Sequence, residues 1–207
     1  MADAVNFHLD EPTHTYTVNG VRVPSVTQIL EELGIIDYRG VPPEMLKHAK
    51  DRGVAAHLAC QYYDEDDLDG ESLDPQITPY VAGWHKFRQE HHFRIIEIEQ
   101  IHLGEVYGRR YGMKIDRLVD WAGQPTIIEI KCSSKIHRWY GAQTAAYAIG
   151  LGTKPGTKPE QSLAGFRRTV VHLKPNATYS LHEYDDPRDG VTFEYALYIA
   201  YWKNGFK

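Results

Sequence analysis

The spacing of apolar positions changes several times along the chain, and each change marks an expected element. Residues 14–18 and 21–23 read as two short strands around Asn19-Gly20, a pair suited to a tight hairpin turn. Ser25 with Gln28 three residues on is a capping-box signature. Val26, Ile29, Leu30 and Leu33 then repeat at helical spacing, with Gly34 placed to end the helix. Longer helices are expected over 43–63, with Pro43 in the first turn, and over 77–91. Strand character follows over 94–103, 110–121 and 126–132. Next come an alanine-rich helix over 137–149, a loop over 150–165, and a second hairpin over 166–173 and 178–184, turned at Pro175-Asn176-Ala177. The aromatic helix over 191–202 reads as packing. This order predicts an α/β (α+β) fold with a mixed central sheet flanked by helices. Residues 1–92 would form an N-terminal hairpin and helical part, residues 93–207 a catalytic sheet core and C-terminal helix, together one domain.

Composition narrows the class. The 207 residues are 42% hydrophobic and 25% charged, ordinary for a soluble globular protein of one domain, or of one core with an added subdomain. No apolar run approaches the roughly 18 residues of a membrane helix, and the start has no secretory signal, so a cytoplasmic setting is expected. Cys60 and Cys132 are too few for a disulfide framework or a four-cysteine metal cluster. The net charge of −5 speaks against a broad basic surface. Seven acids fall in 64–74, a stretch that reads as a solvated loop or helix end. Elsewhere 23 bases face 21 acids, so a polyanionic substrate is not excluded.

The candidate chemistry lies between 111 and 131. Gly123-Gln124 fits a two-residue loop with glycine first, the type II′ requirement. In that register Asp116 lies opposite Lys131, with Glu129 its diagonal neighbour at roughly 7–8 Å, close enough for two carboxylates to share a cation. Thr126, Ile128, Ile130 and Cys132 form the other, core-facing side. Two acids and a lysine on one face suit phosphodiester hydrolysis: hard oxygens hold a divalent ion, and an ammonium beside it stabilises developing charge. The same three residues would also make an ordinary cross-strand ion pair of little energetic worth. Gly53 and His57 are one helical turn apart, and the glycine would permit close packing; Gln143 and Tyr147 share a helix face in the same way. His85, His91 and His92 match no common zinc spacing.

Asp116…Glu129-Ile130-Lys131 resembles the signature of the PD-(D/E)XK nuclease superfamily, and further positions resemble its RecB-like and lambda-exonuclease-like branch. Arg52-Gly53-Val54-Ala55-Ala56-His57 is similar to an upstream helix motif whose histidine binds metal. Glu99 matches an acid on the strand before the aspartate, given a turn near Gly108-Arg109. Gln143-Thr144-Ala145-Ala146-Tyr147 matches a glutamine–tyrosine pair on the following helix. Val23-Pro24-Ser25-Val26-Thr27 is similar to the start of phage-encoded members. The resemblance covers most of 14–150 and implies a restriction-endonuclease-like core. It implies Asp116, Glu129, Lys131, Gln143 and Tyr147 as catalytic residues. It implies His57, Asp116, Glu129 and the Ile130 backbone carbonyl as ligands for Mg²⁺ or Mn²⁺, with Glu99 and Arg52 as further candidates. Two cysteines cannot hold the iron–sulfur cluster of some relatives.

The function expected is that of a metal-dependent DNA exonuclease in phage or prophage recombination or repair. Expected partners are DNA, a single-strand annealing or recombination protein, and further copies of the chain, without a membrane. An endonuclease of the same superfamily is the alternative, disfavoured because no DNA-reading module is evident. A catalytically inactive DNA-binding or assembly module is the other, disfavoured by the presence of Asp116, Glu129 and Lys131 together.

Overall fold

The computed structural model describes residues 5–154 and 156–206. Residues 1–4, Pro155 within the expected 150–165 loop, and Lys207 lie outside them. Strands β1 (Phe7–Asp10), β2 (Thr15–Val18) and β3 (Val21–Val23) form a small antiparallel sheet. Strands β4 (Arg94–Val106), β5 (Arg109–Trp121), β6 (Gln124–Lys131), β7 (Arg167–Leu173) and β8 (Tyr179–Glu183) form a five-stranded sheet in that order. All its pairs are antiparallel except β6 with β7. A parallel pair needs a long crossover, and α4 (Trp139–Gly152) with α5 (Pro159–Ala164) supplies it. The remaining helices are α1 (Val26–Glu32), α2 (Pro43–Asp64), α3 (Thr78–Glu90) and α6 (Arg188–Asn204). The mixed sheet flanked by helices is the fold expected from the sequence. Among the described residues no helix is long and apolar enough to cross a membrane.

The strand period sorts side chains onto two cores. Ile128, Ile130 and Val171 pack with Ala56, Cys60, Trp84 and Phe87 of α2 and α3. Ile127, Met113 and Ile115 pack with Ile29, Ala145 and Phe193 of α1, α4 and α6. Truncating a fully buried aromatic such as Trp84 would cost about 3–5 kcal/mol. Both faces of the sheet are therefore covered. The acids and lysine of β5 and β6 lie inside the protein rather than on an open face.

Three expectations need correction. The β5–β6 turn is Ala122-Gly123, not Gly123-Gln124: Ala122 has φ +56° and Gly123 φ +82°, while Trp121 pairs with Gln124. Two positive φ values make a I′-like turn. Asp120 Oδ1 accepts the Gly123 N–H at 2.8 Å, which helps the alanine tolerate the left-handed region. The register moves by two residues, so Asp116 is brought toward Glu129 instead of Lys131. Second, the 150–165 segment is not all loop. Pro159 opens α5, and Gln161 Oε1 accepts the Lys158 N–H at 3.0 Å. Third, a strand precedes the expected first hairpin: β1 pairs along β2.

The small sheet docks on β5 around Gly112. Gly112 N donates to Pro24 O at 2.9 Å, and a side chain at 112 would collide with the Tyr16 ring. Glycine is needed for that approach, which brings β2 beside the place where β5 and β6 part.

Candidate active site

Paired residues of β5 and β6 end at Arg117 and Ile128. Ile130, two residues on, points its N–H and C=O at β5 by the alternation of the ladder. Its N–H donates to Asp116 Oδ2 at 2.7 Å. On the other side of β5, pairing passes from Ile98–Arg117 to Gln100–Ile115 and skips Glu99 and Asp116. Glu99 sits there at φ +51°, a left-handed conformation that costs of order 1–3 kcal/mol in a residue with a β-carbon. The break turns both carboxylates toward α2. His57 Nδ1 lies 3.4 Å from Asp116 Oδ1 and 4.0 Å from Glu99 Oε1. One donor atom from each of His57, Glu99 and Asp116 falls within 4.8 Å of the others.

Glu129 stands beside this trio under α4. Its Oε1 accepts from Lys131 Nζ at 2.6 Å and Gln143 Nε2 at 3.0 Å. Gln143 Nε2 also donates to Tyr147 Oη at 2.7 Å. Glu129 Oε2 and Gln143 Oε1 are buried without a hydrogen-bond partner among the described residues. The four side chains His57, Glu99, Asp116 and Glu129 open on a cleft of about 530 Å³. One wall is Val54, Leu58 and Gln61 of α2; the other is His14, Tyr16 and Thr27.

The electrostatics of the cleft follow from burial and from the crowding of its acids. Burial pushes the Glu129 carboxyl up to about 7, with Asp116 adding to the rise and Lys131 opposing it. Burial and then Asp116 also raise Glu99. Burial would raise Asp116 too, but His57, Lys131 and the Ile130 N–H outweigh it and hold Asp116 at about 2. For His57 and Lys131 burial favours the neutral forms. The acids win in both: Asp116 and Glu99 raise His57, and Glu129 and Asp116 raise Lys131. Crowded buried carboxylates with an orphaned oxygen, beside one imidazole, are a donor set compatible with a divalent metal ion.

No protein-family model and no curated protein matches the sequence. Among solved structures the chain is similar to a protein of Eubacterium rectale that carries a provisional exonuclease name. The two are 13% identical with a TM-score of 0.51, over 75% of this chain and 69% of that one. The two share a fold. A further solved structure, SSO0001, is 16% identical over 71% of this chain and 74% of that one, with a TM-score of 0.34, too low to carry an argument.

Within that shared fold, the residues singled out in the sequence are distributed unevenly. His57, Glu99, Asp116, Glu129, Gln143 and Tyr147 converge on the cleft. The β4–β5 turn is Tyr107-Gly108, one residue earlier than expected, and still brings Glu99 beside Asp116. Lys131 reaches Glu129 from below, its ammonium 4.9 Å from the Tyr140 ring centre. Arg52 does not join the cluster; its Nη2 lies 3.4 Å from Cys132 O and its guanidinium faces the Tyr80 ring. An added β-carbon at Gly53 would meet nothing, so close packing is not its role; Gly53 lines the cleft. His85 bonds to Tyr63 and His91 to Tyr179, and both cysteines are buried and free.

Two residues escaped the sequence. Arg117 is fully buried and bonds to Asp64 Oδ2 at 2.8 Å, Glu99 Oε1 at 3.1 Å and the Asp116 carbonyl at 2.5 Å. Asp64, the first acid of the stretch read as solvated, has no exposed side-chain surface. It ends α2, and Trp84 Nε1 and Arg88 also reach it. A charged residue inside an apolar strand was the available signal for Arg117.

Proposed function

We propose that this chain is a Mg²⁺- or Mn²⁺-dependent deoxyribonuclease of the PD-(D/E)XK superfamily, in its RecB-like, lambda-exonuclease-like branch. It works as an exonuclease in phage or prophage DNA recombination or repair. The observation that carries this reading is the meeting of His57, Glu99 and Asp116 within 4.8 Å, beside a buried Glu129 oxygen without a partner. The exonuclease name of the Eubacterium rectale protein points the same way.

His57, Glu99, Asp116 and Glu129, with the Ile130 carbonyl, would hold the cation. When bound it neutralises charge on the phosphate and lowers the pKa of a water. Lys131 stays charged and has donors beyond the one given to Glu129, so it is a fixed positive group for the charge that develops on phosphorus oxygens. Gln143 fixes Glu129 Oε1 and is itself steadied by Tyr147. Arg117 holds Glu99 in its strained conformation from behind.

The decisive experiment offers end-labelled linear duplex and covalently closed circles to the protein with Mg²⁺, Mn²⁺ or EDTA. Metal-dependent loss of linear DNA to mononucleotides or short products, with circles surviving, is expected. Cleavage unimpaired in EDTA would overturn the metal-dependent reading. Rapid linearisation of circles would replace the exonuclease with an endonuclease.

A further inference from the structure

One side of α6 has no partner among the described residues. Val191, Tyr195, Tyr198, Ile199 and Trp202 recur at helical spacing as a stripe about 100° wide, and all five are exposed. Phe193, Ala196, Leu197 and Ala200 on the opposite side are buried in the core. An amphipathic helix normally shows water its polar side; this one is apolar on both.

The stripe is large for a monomer surface. Tyr195, Tyr198 and Trp202 are 67%, 55% and 78% exposed. At 150–250 Å² for a buried aromatic side chain, these three alone offer about 400 Å². Val191, Ile199 and Tyr107, itself exposed on the β4–β5 turn beside Arg109, extend it toward the roughly 800 Å² per partner of a specific interface. Tyrosine, tryptophan and arginine are also the residues that dominate binding energy at such surfaces.

We propose that a second copy of this chain covers the stripe, two α6 helices packing antiparallel about a twofold axis. The stripe is self-complementary in that arrangement: small Val191 at its start meets large Trp202 at its end, and Tyr195 meets Tyr198 and Ile199. The charges agree. In an antiparallel pair related by a twofold axis each flank meets the same flank of the other copy. Glu194 lies on the Tyr198 side of the stripe and pairs with no cation among the described residues. Arg109 stacks on Tyr198 at 4.5 Å and pairs with no carboxylate among them. Both recur on one flank near the centre, so Arg109 of each copy meets Glu194 of the other. The cleft opens between α2 and the small sheet, so the dimer leaves it free. The inference does not depend on the nuclease reading.

Sedimentation velocity of the full chain across micromolar concentrations tests it. A reversible dimer is expected, with Tyr195→Glu and Trp202→Glu each weakening it by about 30-fold or more and leaving the far-UV circular dichroism unchanged. Arg109→Glu should weaken the dimer and Arg109→Glu with Glu194→Arg should recover it. Both side chains are half-buried at the edge of the stripe, so the far-UV circular dichroism of each charge variant is read beside its association. A wild type that stays monomeric overturns the proposal, as does a dimer indifferent to both stripe variants. Failure of the double swap to recover association overturns the antiparallel arrangement. A monomer whose Trp202→Glu variant loses affinity for labelled duplex gives the stripe to nucleic acid instead.

Discussion

Asp116 and Arg117 are neighbours in β5, yet they serve two buried charge clusters that differ in what they leave over. Arg117 enters a closed knot: each carboxylate oxygen of Asp64 lies within 3.0 Å of a guanidinium nitrogen, from Arg117 on one side and Arg88 on the other. Asp64 Oδ1, Arg88 Nε and Arg117 Nη2 are left without a hydrogen bond there among the described residues, but Asp64 Oδ1 lies 3.0 Å from Arg88 Nε and so faces a cation. Asp116 enters an open cluster whose leftover atoms include a carboxylate oxygen, Glu129 Oε2. That cluster faces a cleft, and its acids are pushed in opposite directions, Asp116 down to about 2 and Glu129 up to about 7. A knot of the first kind holds a fold together. A cluster of the second kind is costly to the fold and is compatible with a divalent cation.

Substitutions on the two sides should separate activity from stability. Asp116→Asn keeps the size of the side chain and removes the charge. The loss should be several kcal/mol of transition-state stabilisation, on the order of 10³–10⁴-fold in DNA hydrolysis, measured as single-turnover cleavage. Substantial residual rate would remove Asp116 from the mechanism. Arg117→Met takes one of two cations from the buried Asp64 and a partner from Glu99, and should cost about 3–5 kcal/mol, or about 10 °C in melting temperature. Arg117→Met with Asp64→Leu should regain part of it, because replacing both partners of a buried pair by apolar groups is often near neutral, while Arg88 and Trp84 Nε1 lose their acceptor. A double variant as unstable as the single one would mean that the knot does not act as a unit.

The pH dependence of the metal-free protein sharpens the contrast. Glu129 titrates near 7 in the folded chain, above its ordinary value. Its contribution to stability is fully present below the unfolded pKa and is lost as pH rises through 7, up to about 3 kcal/mol. His57, also raised, loses its contribution in the same direction. Asp116, held down at about 2, acts only at far lower pH. Unfolding in urea, without metal, should therefore show stability falling between pH 5 and 8, and Glu129→Gln should flatten that fall. Parallel curves for the two proteins would contradict the shift at Glu129.

How much of this was legible in the sequence follows from range. The spacing of Val26, Ile29 and Leu30, the capping box at Ser25 and the strand alternation of 126–132 are local signals, and each gave the right element. The β5–β6 register was not local. Gly123-Gln124 and Ala122-Gly123 both fit a two-residue turn, and the choice of Ala122 at positive φ is helped by the Asp120 side chain. Because the error was two residues, the strand faces survived it. The skip at Glu99 and Asp116 depends on two strands and a helix at once, so no single segment announces it. Asp64 sits among acids, and only α3 and β5 closing over it make it a core residue.

The smallest effect distinguishes the clusters most cleanly, because it reads the cation and not the reaction. With Mn²⁺ at ten times its dissociation constant the wild type should gain about 1.4 kcal/mol, or about 3–6 °C in melting temperature for a chain of this size. His57→Ala should move the Mn²⁺ titration to higher concentration, whatever the loss of its contact with Asp116 does to the metal-free melting temperature. The shift should be larger for Mn²⁺ than for Mg²⁺, because nitrogen ligands favour Mn²⁺ over the harder ion. Arg88→Met should do the reverse: it lowers the metal-free melting temperature through Asp64 and leaves the titration midpoint where it was. Two midpoints that move together would show that the clusters are one electrostatic unit. A His57→Ala midpoint equal to wild type would leave Glu99, Asp116 and Glu129 as the side-chain ligands and return His57 to a partner of Asp116.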